Sequence, residues 1–116
     1  MINTLSKFLN KVVTIRSITG EEYIAKIMEI DSDNNMLTVA NPRVVVINDD
    51  QVVLVPFVLT ASSEKVSISV NNVFSVIETL PQTAKDYGTL VAQEYIRDNL
   101  VNKPVEVVAE PVVDKY

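Results

Sequence analysis

Apolar positions recur with three rhythms along this chain. In "NTLSKFLN", Leu5, Phe8 and Leu9 stand at helical spacing behind Asn3 or Thr4 as N-cap, which predicts a short amphipathic helix lying on a surface. From Lys11 the period becomes two. Val13 and Ile15 alternate with Thr14 and Arg16, Gly20 permits a tight turn, and Tyr23 to Ile30 forms a second strand with apolar residues on both faces. "NNMLTVANPRVVVIN" predicts a third strand or a pair of strands, with Asn41-Pro42 as a bend or bulge because proline donates nothing to a ladder. Asp49-Asp50 makes a turn and "QVVLVPFVLTA" returns, with Pro56 at an edge or kink. "SSE" at 62–64 turns again, and "KVSISV" and "VFSVIETL" are short strands on either side of a corner at Asn71-Asn72.

Past Pro81 the helical rhythm returns. Tyr87, Leu90, Val91, Glu94 and Tyr95 at spacings of three and four predict a second helix capped at Thr83, despite Gly88. The remaining "VNKPVEVVAEPVVDKY" is rich in valine and broken by Pro104 and Pro111. It reads either as a loose tail or as a segment that a partner orders by letting it add a strand to an exposed edge, and the valines tilt the reading to the second. The organisation is therefore residues 1–80 as one β domain and 81–116 as a C-terminal helix and valine-rich extension.

Composition changes the picture mainly by exclusion. At 47% apolar, the chain of 116 residues has enough material for a core. Cysteine and histidine are absent, which removes disulfides, the usual nucleophiles and zinc ligands, and the ordinary neutral-pH acid/base. Neither an enzyme nor a cofactor or metal site is expected. The net charge is −5 and no cluster of Lys and Arg draws on phosphate backbones. No apolar run approaches the roughly 20 residues that cross a bilayer, and the N-terminus lacks the core of a signal peptide. The expectation is a cytoplasmic protein, or one packaged in a virion, with no membrane partner.

A short helix followed by a strongly bent five-stranded antiparallel sheet, with a glycine early in strand two, resembles the Sm-like (Lsm) layout. "VTIRSITGEEYIAKIMEIDSDNN" resembles the first Sm motif: Val13 and Ile15, Gly20 in the turn, Tyr23, Ala25 for the usual glycine, Ile27 for leucine, then Asp31 and Asn35 at the spacing of the family's D-x-x-M-N. "ISVNNVFSVI" resembles the second motif around Asn71. The insert between residues 41 and 60 and the added C-terminal helix resemble the divergent Sm-like proteins of tailed bacteriophages. The resemblance implies a mainly β, open-barrel fold, whose open end Leu5, Phe8 and Leu9 cover. It also implies a homo-oligomeric ring of about five to seven subunits closed by strand pairing. Val53, Val55, Phe57, Phe74 and Val76 are the candidate interface residues, because "VVLVPFVLT" and "VFSVIE" are too apolar to be left bare.

The family binds single-stranded RNA around the ring's pore, which makes Asp31, Asn35 and Asn71 candidate contacts, with Arg43 the next choice. Asp33 stands where a stacking side chain belongs and Asn34 replaces methionine. Ser69 and Val70 replace the arginine-glycine pair. Without a π-face such a pocket forfeits about 1–3 kcal/mol of stacking per base. The plain reading of Asp31, Asp33, Asn34 and Asn35 is a turn, since Asp and Asn bond their own backbone and tolerate left-handed conformations. Metal coordination by "DSDNN" is a third reading, against the lack of a calcium loop's glycine and distal glutamate. Arg16, Lys26 and Arg43 read as solvated strand cations, and Tyr87 and Tyr95 as helix-face packing. Three functions remain open: a non-enzymatic ring-forming scaffold of phage origin, an RNA-binding riboregulator or chaperone, and a virion assembly adaptor. In the scaffold and adaptor readings the extension recruits a phage or host protein.

Overall fold

The computed structural model describes residues 2–57 and 64–101, with side chains described over 4–57 and 64–95. It is mainly β: a bent antiparallel sheet followed by one C-terminal helix. A 3₁₀ helix, Ile2–Phe8, leads into β1 (Val12–Ser17), β2 (Glu22–Asp31), β3 (Met36–Asn48), β4 (Gln51–Pro56), β5 (Lys65–Ser69) and β6 (Val73–Glu78), and α1 spans Pro81–Val101. The chain divides into two compact units, Met1–Ala84 and Lys85–Tyr116.

The N-terminal element differs from the amphipathic α-helix and its cap. Asn3 and Thr4 lie inside the helix and so do not cap it. With three residues per turn, positions i and i+3 eclipse, so Leu5 and Phe8 share a line: Leu5 is buried and Phe8 packs on the core. Leu9 falls off that line and is 42% exposed, so it does not help cover the sheet. The Asn10 N–H then donates to Ile27 O at 2.7 Å, pinning this segment to β2.

Strand order is β4-β3-β2-β1-β6, and β5 also pairs with β3. β5 and β4 lie in line along the same side of β3: Met36–Ala40 pair with β5, and Arg43–Asn48 with β4. The junction is held by Phe57 N–H to Pro42 O at 3.2 Å and Asn41 N–H to Glu64 O at 2.7 Å. Thus five strands match the expected sheet, and the insert adds a sixth by prolonging the β3 hairpin. Its two-residue turn, Asp49-Asp50, has φ of 52° and 66° and closes on the pair Asn48↔Gln51, the left-handed geometry that suits strand twist. The predicted turn at 62–64 lies partly, and the valine-rich tail from residue 102 wholly, outside the described residues.

Irregularities bend the sheet where the sequence places small or turn-forming residues. Ala25 faces both Asn41 and Pro42, because register moves from Ile24↔Arg43 to Lys26↔Ala40; Asn41 takes φ 51°. This is the predicted bulge. A second shift passes over Met28, and a third, between Arg16 and Ser17, passes over Phe74. The core forms on one face from Val13, Ile15, Tyr23, Ala25, Ile27, Leu37, Val39, Val70 and Val73, joined by Leu5. Burying such side chains stabilises by about 1.5–3 kcal/mol each. β2 is buried on both faces near its start, as its unbroken apolar pattern predicts, since Ile24 is 2% exposed.

Helix α1 begins at Pro81 rather than behind Thr83. Proline suits the first helical position, where its missing N–H costs nothing. Ala84 N–H bonds Leu80 O at 2.8 Å, so Thr83 lies within the first turn. Tyr87 is buried, whereas Tyr95 is 68% exposed and so departs from the predicted packing role. Among the described residues no helix is long and apolar enough to cross a membrane.

Candidate functional site

The acid-and-asparagine stretch is first of all a turn. Asp31 ends β2, and its carboxylate accepts the Asn34 side-chain N–H at 2.8 Å and backbone N–H at 3.1 Å. The side-chain bond, then the backbone bond, holds the Asp31 carboxyl below the usual carboxylate range, so it stays ionised. Asn35 completes the reversal with φ 55°, which asparagine tolerates better than most residues.

The pairing of β3 with β5 then carries this turn to a second one. Met36 pairs with Ser69, and the Val70 N–H donates to Asn35 O at 3.0 Å. Ser69 caps the 3₁₀ turn Val70–Asn72, its hydroxyl accepting the Asn71 N–H at 3.2 Å. As a result the Asn35 Nδ2 donates to Asn71 Oδ1 at 2.9 Å across 36 positions of sequence. The two candidate asparagines meet at one spot. Among the described residues Asn35 Oδ1, an acceptor, and Asn71 Nδ2, a donor, have no side-chain partner.

Arg43 is elsewhere. It sits seven residues farther along β3 than Met36, is 4% exposed, and its Nη1 donates to Glu64 Oε1 at 2.9 Å and to Pro42 O at 3.0 Å. It is a structural cation and not a solvated one, which removes it from the candidate contact set. Its partner Glu64 was invisible to sequence reasoning because it arrives only after the whole β3–β4 hairpin. Arg16 pairs with Glu22 at 3.4 Å on the surface, and Lys26 is exposed. Among the described residues no group of three acids gathers to hold a metal, so Asp31 and Asp33 gain no third carboxylate.

The five candidate interface residues take different roles. Phe74 is 68% exposed, thrown out of alternation by the bulge opposite Arg16 and Ser17. Val53 and Phe57 are 37% and 38% exposed, but Phe57 also lies 5.1 Å from the Tyr23 ring and so serves its own chain. Val55 is half-buried opposite Val44, and Val76 packs on the core. Ile47, Val52 and Ile77 are 60–67% exposed; Val52 and Ile77 lie in the two apolar stretches singled out above without being named as interface residues, and Ile47 lies outside both. The signal for Ile47 was available, because a two-residue turn at Asp49-Asp50 places it opposite Val52.

No protein-family model matches this chain, and no curated protein matches it. Among solved structures, the P. aerophilum SmAP1 heptamer is similar over 67% of this chain and 90% of its own, at 17% identity and a TM-score of 0.46. That likeness is one of outline, and the chemistry of the site and the assembly rests on this chain's own residues.

Proposed function

We propose that this protein is a non-enzymatic, ring-forming Sm-like scaffold that assembles as a homo-oligomer of about five to seven subunits. The observation that carries the reading is the pair of open sheet borders. Among the described residues β4 and β5 pair only with β3, and β6 only with β1. Each border carries exposed apolar side chains: Phe74 and Ile77 on β6, Val52 and Val53 on β4. An open edge of that kind templates pairing, and two different borders joined head to tail generate a ring when the rotation closes. β5 of one copy against β6 of the next gives both strands the backbone partners they lack. The insert and the added helix are the parts that resemble phage members of the family, which supports a phage-related origin and action in a host cytoplasm. Native mass spectrometry at micromolar concentration tests the reading: one closed multiple supports it, and a monomer removes it.

The Asn35–Asn71 contact favours a second reading, retained binding of single-stranded RNA. The pair offers a donor and an acceptor suited to a base edge. Against it stand the ionised Asp31 and the absence of a cation or ring in the loop. Fluorescence anisotropy with U-rich and A-rich oligomers at low salt decides; no binding means that the asparagine pair is a structural clasp.

A further inference from the structure

Backbone alternation decides which residues of the two open borders can pair. In an antiparallel ladder, pairs that exchange N–H···O bonds alternate with pairs that turn those groups away. The β3–β5 ladder is bonded at both ends, by Val70 N–H to Asn35 O at 3.0 Å and by Asn41 N–H to Glu64 O at 2.7 Å. In its register Leu37↔Ile68 and Val39↔Val66 are then bonded pairs, and Ser67 and Ser69 turn their backbone groups to the open side. On β1, Ser17 N–H bonds Glu21 O at 2.8 Å and Ile27 N–H bonds Lys11 O at 3.1 Å, so Val13 and Ile15 serve β2 while Thr14 and Arg16 serve β6. Their partners Ile77 and Ser75 therefore point to β1, and Val76 and Glu78 turn to the open side.

Antiparallel pairing of β5 with a neighbour's β6 sets outward-turned residues opposite one another. Two alignments place both Val76 and Glu78 opposite residues of β5. The first sets Ser67 opposite Val76, and so Lys65 opposite Glu78. The second slides by two residues, setting Ser69 opposite Val76, Ser67 opposite Glu78 and Lys65 opposite Leu80, past the end of β6. Both give Ile77, 60% exposed in the single chain, an apolar residue across the junction: Val66 in the first, Ile68 in the second. Charge separates them. Lys65 and Glu78 are both exposed, and only the first alignment puts these opposite charges directly across from one another.

We propose that β5 of one copy and β6 of the next pair in the first alignment, with Lys65 against Glu78 fixing the register. The partner is a second copy of this chain because one protomer carries both halves of the match, a lysine at the start of β5 and a glutamate at the end of β6. Lys7 and Lys11 line the groove beside Glu78 and draw on the same carboxylate from within its own chain. The inference rests on the ring-forming reading and specifies how its junction is aligned.

The chain has no cysteine, so engineered disulfides report the alignment directly. Val66→Cys with Ile77→Cys sets two thiols across the junction in a pair of the non-bonded type, with Cα atoms about 4.5 Å apart and within disulfide range. Ile68→Cys with Ile77→Cys sets them on a diagonal about 7–8 Å apart, which a disulfide does not span. A two-residue slide exchanges these roles. Under mild oxidation of the full chain, read on non-reducing gels, the Val66→Cys variant should form inter-chain disulfides at least roughly tenfold faster than the Ile68→Cys variant. Ile68→Cys with Ser75→Cys reports the same alignment if circular dichroism shows that the first variant has lost its fold. Equal rates, or faster linkage of Ile68→Cys with Ile77→Cys, overturn the register and leave the ring as a reading. No linkage in any of the three, with the assembly intact by sedimentation velocity, overturns the pairing of these two strands. A wild-type monomer overturns both the register and the ring.

Discussion

Tyr23 sits on the core face of β2, 4% exposed, with its ring beside Phe57. Burial, with a smaller push from the Glu21 carboxylate, raises its phenol from the ordinary value near 10 to about 12. Below pH 10 both folded and unfolded chains hold the proton and stability is full. Between about 10 and 12 only the unfolded chain releases it, so stability falls as pH rises through that window, by on the order of 2 kcal/mol. Phenolate absorbance should therefore show a step near 12 that Tyr23→Phe removes; the same titration curve for wild type and Tyr23→Phe above pH 11 contradicts the burial. Arg43 makes the complementary case. Glu64→Gln leaves a buried guanidinium with a weaker acceptor, and the unfolding free energy from urea titration should fall by about 1–2 kcal/mol, discounted because Glu64 is half exposed. Arg43→Met should cost less than Glu64→Gln, since replacing a buried charge by a methionine of similar shape avoids stranding it. Neither role was legible beforehand. Arg43 looked like a solvated strand cation, and its partners, the Pro42 carbonyl and a Glu64 that arrives 21 residues later, are not marked by any spacing in the sequence.

At the scale of elements, turns decide the shape and most were readable. Gly20 has φ 103°, and a Cβ there would meet nothing within 4 Å. Gly20→Ala should therefore cost only backbone strain, about 1–2 kcal/mol in thermal or urea unfolding, while Gly88→Ala in α1, in equally open space, should stabilise by about 1 kcal/mol. The reverse order would contradict the turn. Asn41-Pro42 could be foreseen as a bulge because proline lacks a donor, and Asp49-Asp50 as a turn because Asp tolerates positive φ. The in-line arrangement of β4 and β5 could not, because periodicity reports faces and not partners. Leu9 was misplaced for a related reason: three residues per turn and 3.6 residues per turn agree on Leu5 and Phe8 and diverge one residue later. The meeting of Asn35 with Asn71 was legible only through the family resemblance; composition and spacing made them two separate turns.

For the whole molecule, the sheet is a closed account on its inner face and an open one at its borders. The core satisfies Val13, Ile15, Ile27, Leu37 and Val39 completely, each at 0% exposure. The borders leave Phe74, Ile77, Ile47 and Val52 in water, a patch distribution that monomers of this size seldom carry without function. In the proposed ring, head-to-tail pairing of β5 with β6 answers the backbone deficit of both strands and brings a neighbour to the border that carries Phe74 and Ile77. Sedimentation velocity of the full chain across the micromolar range is the direct measurement. The proposed ring predicts a single boundary at about five to seven chain masses, unchanged on dilution over that range; a boundary at one chain mass, with the fold intact, contradicts it.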